Sequence, residues 1–140
     1  MEQMEDNEAQ CFCCGERNDR GLHIAFEHRQ GEAEASLEIP AYFSGWKGIA
    51  HGGLLSMLLD EVMAHACLGI AESAVTGEMT VRFVKPVATG TRVRLVGKVV
   101  ETRGRILSTQ GWIYDESGAT AAQATARFVA ARQTVEGRAR

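Results

Sequence analysis

Apolar residues alternate with polar or small residues in two segments near the start of the chain. They occupy every second position over residues 22–26 and again over residues 33–39, with Gln30 and Gly31 between the two runs. A period of two is typical of β-strands with one buried face. We therefore predict a β-hairpin here, ended by Pro40, and an irregular loop over residues 42–50.

Residues 53–70 have a different pattern, because apolar residues are almost continuous there. The segment contains no proline and few β-branched residues, so it is the long helix that the sequence predicts. A helix that is apolar nearly all round has to be buried on most sides. Its polar residues are Ser56, Asp60, Glu61 and His65.

Four more strand-like segments follow the helix, at residues 75–85, 92–102, 105–115 and 120–131. They are separated by short segments rich in turn-forming residues. The predicted order is therefore ββαββββ. One buried helix with about six strands indicates an α+β fold in which an antiparallel sheet curls round the helix.

Composition limits the possible functions further. The chain has 140 residues, of which 45% are hydrophobic and 24% charged, as expected for one globular domain. A net charge of −3 argues against broad nucleic-acid binding, which depends on neutralising phosphates. We expect a disordered acidic tail over residues 1–10, without signal-peptide or membrane-span character, a domain over residues 11–132, and a flexible tail over residues 133–140.

The cysteines argue for a reducing compartment. Cys11, Cys13 and Cys14 lie too close in sequence to pair well with one another, and Cys67 is the fourth. We expect a cytoplasmic protein with free thiols. Cys11 and Cys14 have the spacing of two zinc ligands, but the sequence contains no second Cys or His pair at ligand spacing, so we expect no metal and no cofactor.

His51, Gly52 and Gly53 form the most informative motif. Two glycines at a helix start leave N–H groups unobstructed by Cβ atoms, so a carbonyl oxygen can approach the positive end of the helix dipole. Such a site stabilises an oxyanion. The alternative interpretation is a tight turn that His51 merely caps or packs against.

Two adjacent acids on the predicted helix differ in their neighbours. Asp60 shares a stripe of the helix with small side chains and has no counter-charge nearby in sequence, which favours a role in chemistry. Glu61 lies about 100° further round. It is four residues before His65, the spacing of a structural pair.

Four motifs spread over residues 11–86 occur together in the chain, within a resemblance that extends from Cys11 to about Val129. They are Cys11-Phe12-Cys13-Cys14-Gly15 with Asn18 and Gly21-Leu22, Gly48-x-x-His51-Gly52-Gly53, Leu59-Asp60-Glu61, and Thr76-x-Glu78-Met79-x-Val81-Arg82-Phe83-x-Lys85-Pro86. In this combination the chain resembles the hotdog-fold acyl-CoA thioesterase superfamily, in its PaaI-like branch. The resemblance implies a six-stranded antiparallel sheet wrapped round one long central helix.

The resemblance also implies hydrolysis of an acyl-CoA thioester without metal or cofactor. Asp60 is expected to act as general base or nucleophile, the Gly52 N–H to bind the thioester oxygen, and the Thr76 hydroxyl to place the water, while His51 supports the turn. The family pattern often has an amide side chain six residues before the histidine. This chain has Gly45 there, so one expected donor to the carbonyl is missing.

Further residues are candidates for substrate binding. The segment from Arg82 to Arg105 carries seven basic residues and one acid, a balance that suits coenzyme A phosphates but is also common on a solvated sheet face. Trp46 could line an acyl pocket or seal the core. The candidates are Gly53, Ser56, Glu61, Trp46, Arg82 and Lys85.

Two other functions remain open at this point. A hydratase or dehydratase of the same fold would use His51 and Asp60 as an acid/base pair, and a non-catalytic acyl-CoA-binding protein would only hold the thioester. For the chain itself we expect a homodimer or a homotetramer, and the resemblance implies sites at the subunit interface. A curved sheet with one helix leaves an apolar sheet edge to be covered.

Overall fold

The computed structural model describes residues 9–131. Of the tails predicted at residues 1–10 and 133–140, only Ala9 and Gln10 are among these residues, and the rest lie outside them. Within them the chain forms one long helix, α1 (Gly52–Cys67), and eight strands. The strands are β1 (Glu27–Arg29), β2 (Glu32–Glu38), β3 (Ser44–Trp46), β4 (Ile49–Ala50), β5 (Ala74–Phe83), β6 (Arg92–Arg103), β7 (Ile106–Tyr114) and β8 (Thr120–Ala130).

Six of the strands form one antiparallel sheet in the order β1-β2-β6-β7-β8-β5. The helix packs across the concave face of this sheet, which confirms the predicted α+β arrangement of one helix in a six-stranded sheet. Every residue of α1 after Gly53 is buried or half-buried, as its nearly continuous apolar character predicts. The core therefore lies between the helix and the sheet.

A pair of glycines lets the helix approach the sheet closely. Gly97 in β6 and Gly111 in β7 are cross-strand partners. A Cβ atom on Gly97 would lie 2.5 Å from the carbonyl oxygen of Val62, and one on Gly111 would lie 3.0 Å from Met63 Cγ. Any larger residue at position 97 would push the helix away from the sheet and loosen the core.

Two local predictions were wrong. Residues 22–26 are not a strand, because the backbone N–H groups of Leu22 and Ile24 bond to the carbonyls of Phe12 and Cys13 at 2.8 Å instead of joining the sheet. Residues 42–50 are not irregular either. After a 3₁₀ turn (Ala41–Phe43), β3 and β4 form a small hairpin whose turn has Gly48 at a φ of 73°, a conformation that glycine adopts easily.

Candidate active site

The start of α1 is built by its capping residue. His51 is the N-cap, and its Nδ1 accepts a hydrogen bond of 2.8 Å from the Gly53 N–H. A ring nitrogen that accepts carries no proton, so the neutral imidazole keeps its hydrogen on Nε2. His51 is thus held in one orientation and fixes the direction in which the helix begins.

The cap leaves one backbone donor available. Among the described residues nothing accepts a hydrogen bond from the Gly52 N–H, whereas the Gly53 N–H is taken by His51. Gly52 is exposed, and Phe83 lies beside it, since a Cβ atom on Gly52 would be 3.5 Å from the Phe83 ring. The predicted oxyanion site therefore has one available N–H, that of Gly52, and Gly53 contributes to the cap.

Asp60 lies two turns further along α1 and is half-buried. The Thr76 hydroxyl donates a hydrogen bond of 2.5 Å to Asp60 Oδ1. Residues 9–131 provide no ion-pair partner for this carboxylate, in agreement with the sequence. Asp60 is nevertheless not isolated, because Thr76 supplies a neutral partner that orients it and leaves Oδ2 for another molecule.

A β-bulge directs Thr76 toward Asp60. In the pairing of β5 with β8, Thr76 lies opposite Phe128 and Glu78 opposite Arg127, so Gly77 is an extra residue. In an unbroken strand Thr76 would share the outer sheet face with Glu78. The extra residue turns Thr76 to the inner face, where Phe128 is fully buried and α1 packs.

Glu61, the neighbour of Asp60, has different surroundings. The predicted pair with His65 is present, with 3.3 Å between Glu61 Oε1 and His65 Nε2. The same oxygen accepts hydrogen bonds from the thiols of Cys14 at 3.3 Å and Cys11 at 3.5 Å. Burial acts to raise the pKa of Glu61, but the bonds from His65 and the thiols outweigh it and lower that pKa.

The thiols respond in the opposite direction. Burial, followed by the charge of Glu61, raises the pKa of Cys13 well above its ordinary value. Burial and the hydrogen bond with Cys11 do the same for Cys14, with Glu61 contributing further. Burial alone raises the pKa of Cys67 to about 12. These thiols are therefore neutral donors at physiological pH and unsuited to act as nucleophiles.

The other candidates are placed less uniformly. The Ser56 hydroxyl donates to the Gly52 carbonyl at 2.9 Å, so it supports the first turn of α1. Trp46 is 79% exposed at the tip of the β3-β4 hairpin. Lys85 forms an ion pair of 2.5 Å with Asp115. The contact with Lys85, together with Ser117, holds the pKa of the Asp115 carboxyl below its usual range.

Arg82 is separated from the other site residues by the sheet. It lines a shallow outer-face cavity of about 330 Å³ with Thr80, Trp112 and Gln123, and its cross-strand partner is Gln123. Asp60 and Thr76 meet on the inner face. Within one chain, the predicted residues thus lie in two places, with His51, Gly52 and Gly53 at the start of α1 and Asp60 bonded to Thr76 two turns further along, and Arg82 belongs to neither.

Gly45, the departure from the family pattern, packs against His51. A Cβ atom at this position would lie 3.1 Å from both Cα and Cδ2 of His51. The imidazole therefore occupies space that a side chain at position 45 would need. No sequence motif in this chain indicates that contact, because it depends on how the β3-β4 hairpin folds back on the cap.

Comparison with known proteins identifies the family of the chain. The family model of the Thioesterase superfamily matches residues 47–122, a segment that contains His51, Gly52, Asp60 and Thr76. The chain belongs to the Thioesterase superfamily. No protein of curated function matches its sequence significantly.

Three solved structures give the context of the fold. The PaaI protein of the Escherichia coli phenylacetic acid degradation operon superposes with a TM-score of 0.77 at 20% identity, over 93% of this chain and 95% of that one. A variant of phenylacetic acid degradation protein PaaI from Thermus thermophilus has a TM-score of 0.72 at 25% identity, over 77% and 93%. The smu.793 protein of Streptococcus mutans, solved bound to acetyl CoA, has a TM-score of 0.75 at 17% identity, over 79% and 90%. The fold is the hotdog fold.

No helix among the described residues is both long enough and apolar enough to cross a bilayer.

Proposed function

We propose that the protein is an acyl-CoA thioesterase that hydrolyses small or medium acyl-CoA thioesters to the free acid and coenzyme A. The observation that carries the proposal is the hydrogen bond from Thr76 to Asp60, on a helix whose first residue, Gly52, has an N–H with no partner within residues 9–131. A positioned carboxylate and an available oxyanion donor are the two parts that thioester hydrolysis requires.

Gly52 and Asp60 lie eight residues, about 12 Å, apart on one helix, so the proposed reaction takes the two groups from different copies of the chain. The thioester carbonyl oxygen accepts a hydrogen bond from the Gly52 N–H of one copy, at the positive end of its α1 dipole, and faces Asp60 of the other. Asp60 takes a proton from water, whose oxygen forms the new C–O bond. The C–S bond then breaks, and the coenzyme A thiolate receives the proton. The Thr76 hydroxyl keeps the carboxylate turned toward the water.

Asp60 could instead attack the carbonyl itself and form an anhydride that water then opens. A single turnover in ¹⁸O-labelled water separates the two routes. Label found in the Asp60 carboxylate after digestion and mass spectrometry requires a nucleophile. Label found only in the product acid is the result for a general base and also for an anhydride that water opens at the acyl carbon, so trapping of the anhydride with hydroxylamine then decides between them.

For the missing second donor we propose the His51 ring. Because Nδ1 accepts from Gly53, the hydrogen of the neutral ring lies on Nε2, and the ring occupies the space beside Gly45. His51→Asn tests this role, since asparagine is a good N-cap but lacks the ring N–H. We expect the melting temperature to be kept and turnover to fall, and full activity would exclude the ring as a donor.

Substrate binding is proposed to need a second copy of the chain. Strand β5 lies at the sheet edge. Phe83, which lies beside Gly52, is 53% exposed, and Val75 and Val84 are also more than half exposed. A partner at this edge would cover these side chains and enclose Trp46. In that assembly, Arg82 and Lys85 would contribute to coenzyme A binding only from positions that are not on the inner sheet face of their own chain.

Two experiments test the substrate class and the assembly. Purified protein is assayed against short-chain, long-chain and aromatic acyl-CoAs with thiol release as the readout, and no turnover of any of them would contradict the proposal. Sedimentation at micromolar concentration should show at least a dimer. Val75→Lys, which places a charge on the edge, should give monomers with little activity, whereas a fully active monomer would exclude an interface site.

A further inference from the structure

A cluster of side chains of types that ligate metals lies around Glu61, on a different face of α1 from Asp60. It is not used in the proposed reaction. We define the cysteine cluster as Cys11, Cys14, Glu61 and His65. All four residues are half-buried. The Glu61 carboxylate lies at the centre, 3.3 Å from both Cys14 Sγ and His65 Nε2 and 3.5 Å from Cys11 Sγ.

Three ligand atoms of this cluster, those of Cys14, Glu61 and His65, lie within 4.8 Å of one another, close enough to share one small cation. Ligands bound at about 2.0–2.3 Å to a single tetrahedral zinc ion lie about 3.3–3.8 Å from one another. Cys11 Sγ is grouped with Cys13 and Glu61, so it would move toward Cys14 and His65 to complete the site. Three groups also converge on one carboxylate oxygen, which has only two lone pairs for them.

The loop that presents the thiols is built tightly. The Gly15 N–H bonds to the Cys11 carbonyl at 2.8 Å, and the Cys13 N–H points at Cys11 Sγ at 3.4 Å. A Cβ atom on Gly15 would lie 2.4 Å from the Ala9 carbonyl oxygen, so only glycine allows this turn. The turn directs the thiols of both Cys11 and Cys14 at Glu61 Oε1.

The helix supplies the second half of the cluster. Glu61 and His65 lie one turn apart on α1. They are the second pair of ligands, and a search for a second Cys or His pair does not find them because one member is a glutamate. The His65 ring is held by stacking on Phe26, with 3.9 Å between ring centroids, and by a contact of 2.7 Å between its Nδ1 and His28 Nε2. A metal-binding histidine is typically oriented through its other ring nitrogen in this manner.

We propose that Cys11, Cys14, Glu61 and His65 bind a zinc ion that fastens the N-terminal loop to α1. Two thiolates, an imidazole and a carboxylate form a donor set that suits zinc. Binding releases the two thiol protons to solvent, and no electron is transferred. The ion is structural. It joins residues 11–26, which contain no helix or strand, to the helix that carries Asp60.

The first test uses the wild-type protein, purified without an affinity tag that binds metal. We expect roughly one zinc per chain by elemental analysis, a lower melting temperature after treatment with a strong chelator, and recovery on adding zinc. Cobalt substitution should give the intense visible bands of a tetrahedral site together with thiolate-to-cobalt charge transfer. None of these readouts depends on thioesterase activity, so the zinc proposal and the proposed function can fail separately.

Variants then test the ligand set. Cys14→Ala and His65→Ala should lose the zinc and the response to chelator. Cys67→Ala is the matched control. Cys67 is a buried cysteine of the same helix, and burial alone raises its pKa. His28→Ala should bind zinc about 10- to 100-fold more weakly, as expected when the group that orients a ligand is lost.

Three outcomes would overturn the proposal. The first is wild-type protein that lacks zinc as purified, neither takes it up nor gains thermal stability from it, and gives no cobalt bands. The second is a Cys11–Cys14 disulfide found by non-reducing peptide mapping in metal-free, active protein. The third is zinc that survives Cys14→Ala but is lost in Cys13→Ala, since Cys13 also lies within 4.8 Å of Cys11 and Glu61.

Discussion

Asp60 and Glu61 are adjacent carboxylates on one helix, and their surroundings are opposite in kind. Asp60 has a single neutral partner, the Thr76 hydroxyl. Glu61 contacts two thiols and an imidazole. A carboxylate with few partners keeps lone pairs for a reacting molecule, whereas one whose contacts are all internal stabilises the fold. Two acids of the same helix turn can thus separate chemistry from structure.

The largest effect is expected for Asp60→Asn. Asparagine keeps the volume and can still accept the Thr76 hydrogen bond, but it cannot take a proton from water. Turnover should fall by about two to four orders of magnitude, the usual contribution of a general base. The melting temperature should stay equal or rise, because a half-buried charge without an ion pair is removed. Stopped assays of thiol release and thermal unfolding together measure both, and an active Asp60→Asn would reverse the comparison with Glu61.

Gly52→Val should have the next largest effect on activity. The valine methyl groups crowd the Gly52 N–H and the Phe83 ring, which lies in ordinary contact distance of a single added Cβ. We expect turnover to fall by about 10²- to 10³-fold, as when one oxyanion donor is lost. Gly52→Ala is the control, since its Cβ fits, and it should keep more activity. Normal turnover in the valine variant would locate the carbonyl site elsewhere.

Thr76→Val should have a smaller effect, because it removes the hydroxyl but keeps the shape. Asp60 would remain charged but lose its only orienting partner among the described residues. A loss of about 10- to 100-fold in kcat is expected when a reacting group is misplaced by about an ångström. Thr76→Ser should restore most of the rate. If valine and serine behave alike, the hydroxyl is not needed for positioning.

Glu61→Gln should show the reverse balance. It weakens the contacts with His65 and the two thiols, so we expect unfolding to become easier by about 1–3 kcal/mol. Its turnover should fall less than that of Asp60→Asn. Chemical denaturation at pH 7 measures the first quantity and thiol release the second. A variant that folds normally but is inactive would place Glu61 in the reaction. That result would mean that the helix is rotated by about one residue, so that Glu61 takes the position assigned to Asp60.

Much of the fold was predictable from periodicity. Residues 53–70 and the four later strands have strong patterns, and the structure places α1 and β5 to β8 within a few residues of the predicted bounds. Residues 22–26 have an equally clear alternation, yet they pair with the cysteine loop. Alternation reports that one side is buried, and it does not identify the partner that buries it.

The site residues can be proposed from motifs, whereas their geometry cannot. His51 caps the helix at Gly53 and Thr76 bonds to Asp60, which are two separate contacts within one chain. The neutral partner of Asp60 depends on the Gly77 bulge, and a bulge has little local signature. The cysteine cluster joins residues about fifty positions apart, so the ligand spacing that a sequence search needs is present only after folding.

The Gly77 bulge also divides strand β5 into two segments whose side chains alternate in opposite phase. Residues after it keep one alternation with β8, while Thr76 and the residues before it follow the other. Deleting Gly77 would make Thr76 and Glu78 direct neighbours, so Thr76 would stay opposite Phe128 on the inner sheet face, and only the local bend and twist of the edge strand would be lost. A one-residue deletion at this point would therefore change how closely the Thr76 hydroxyl approaches the carboxylate that it orients, and not the face on which it lies.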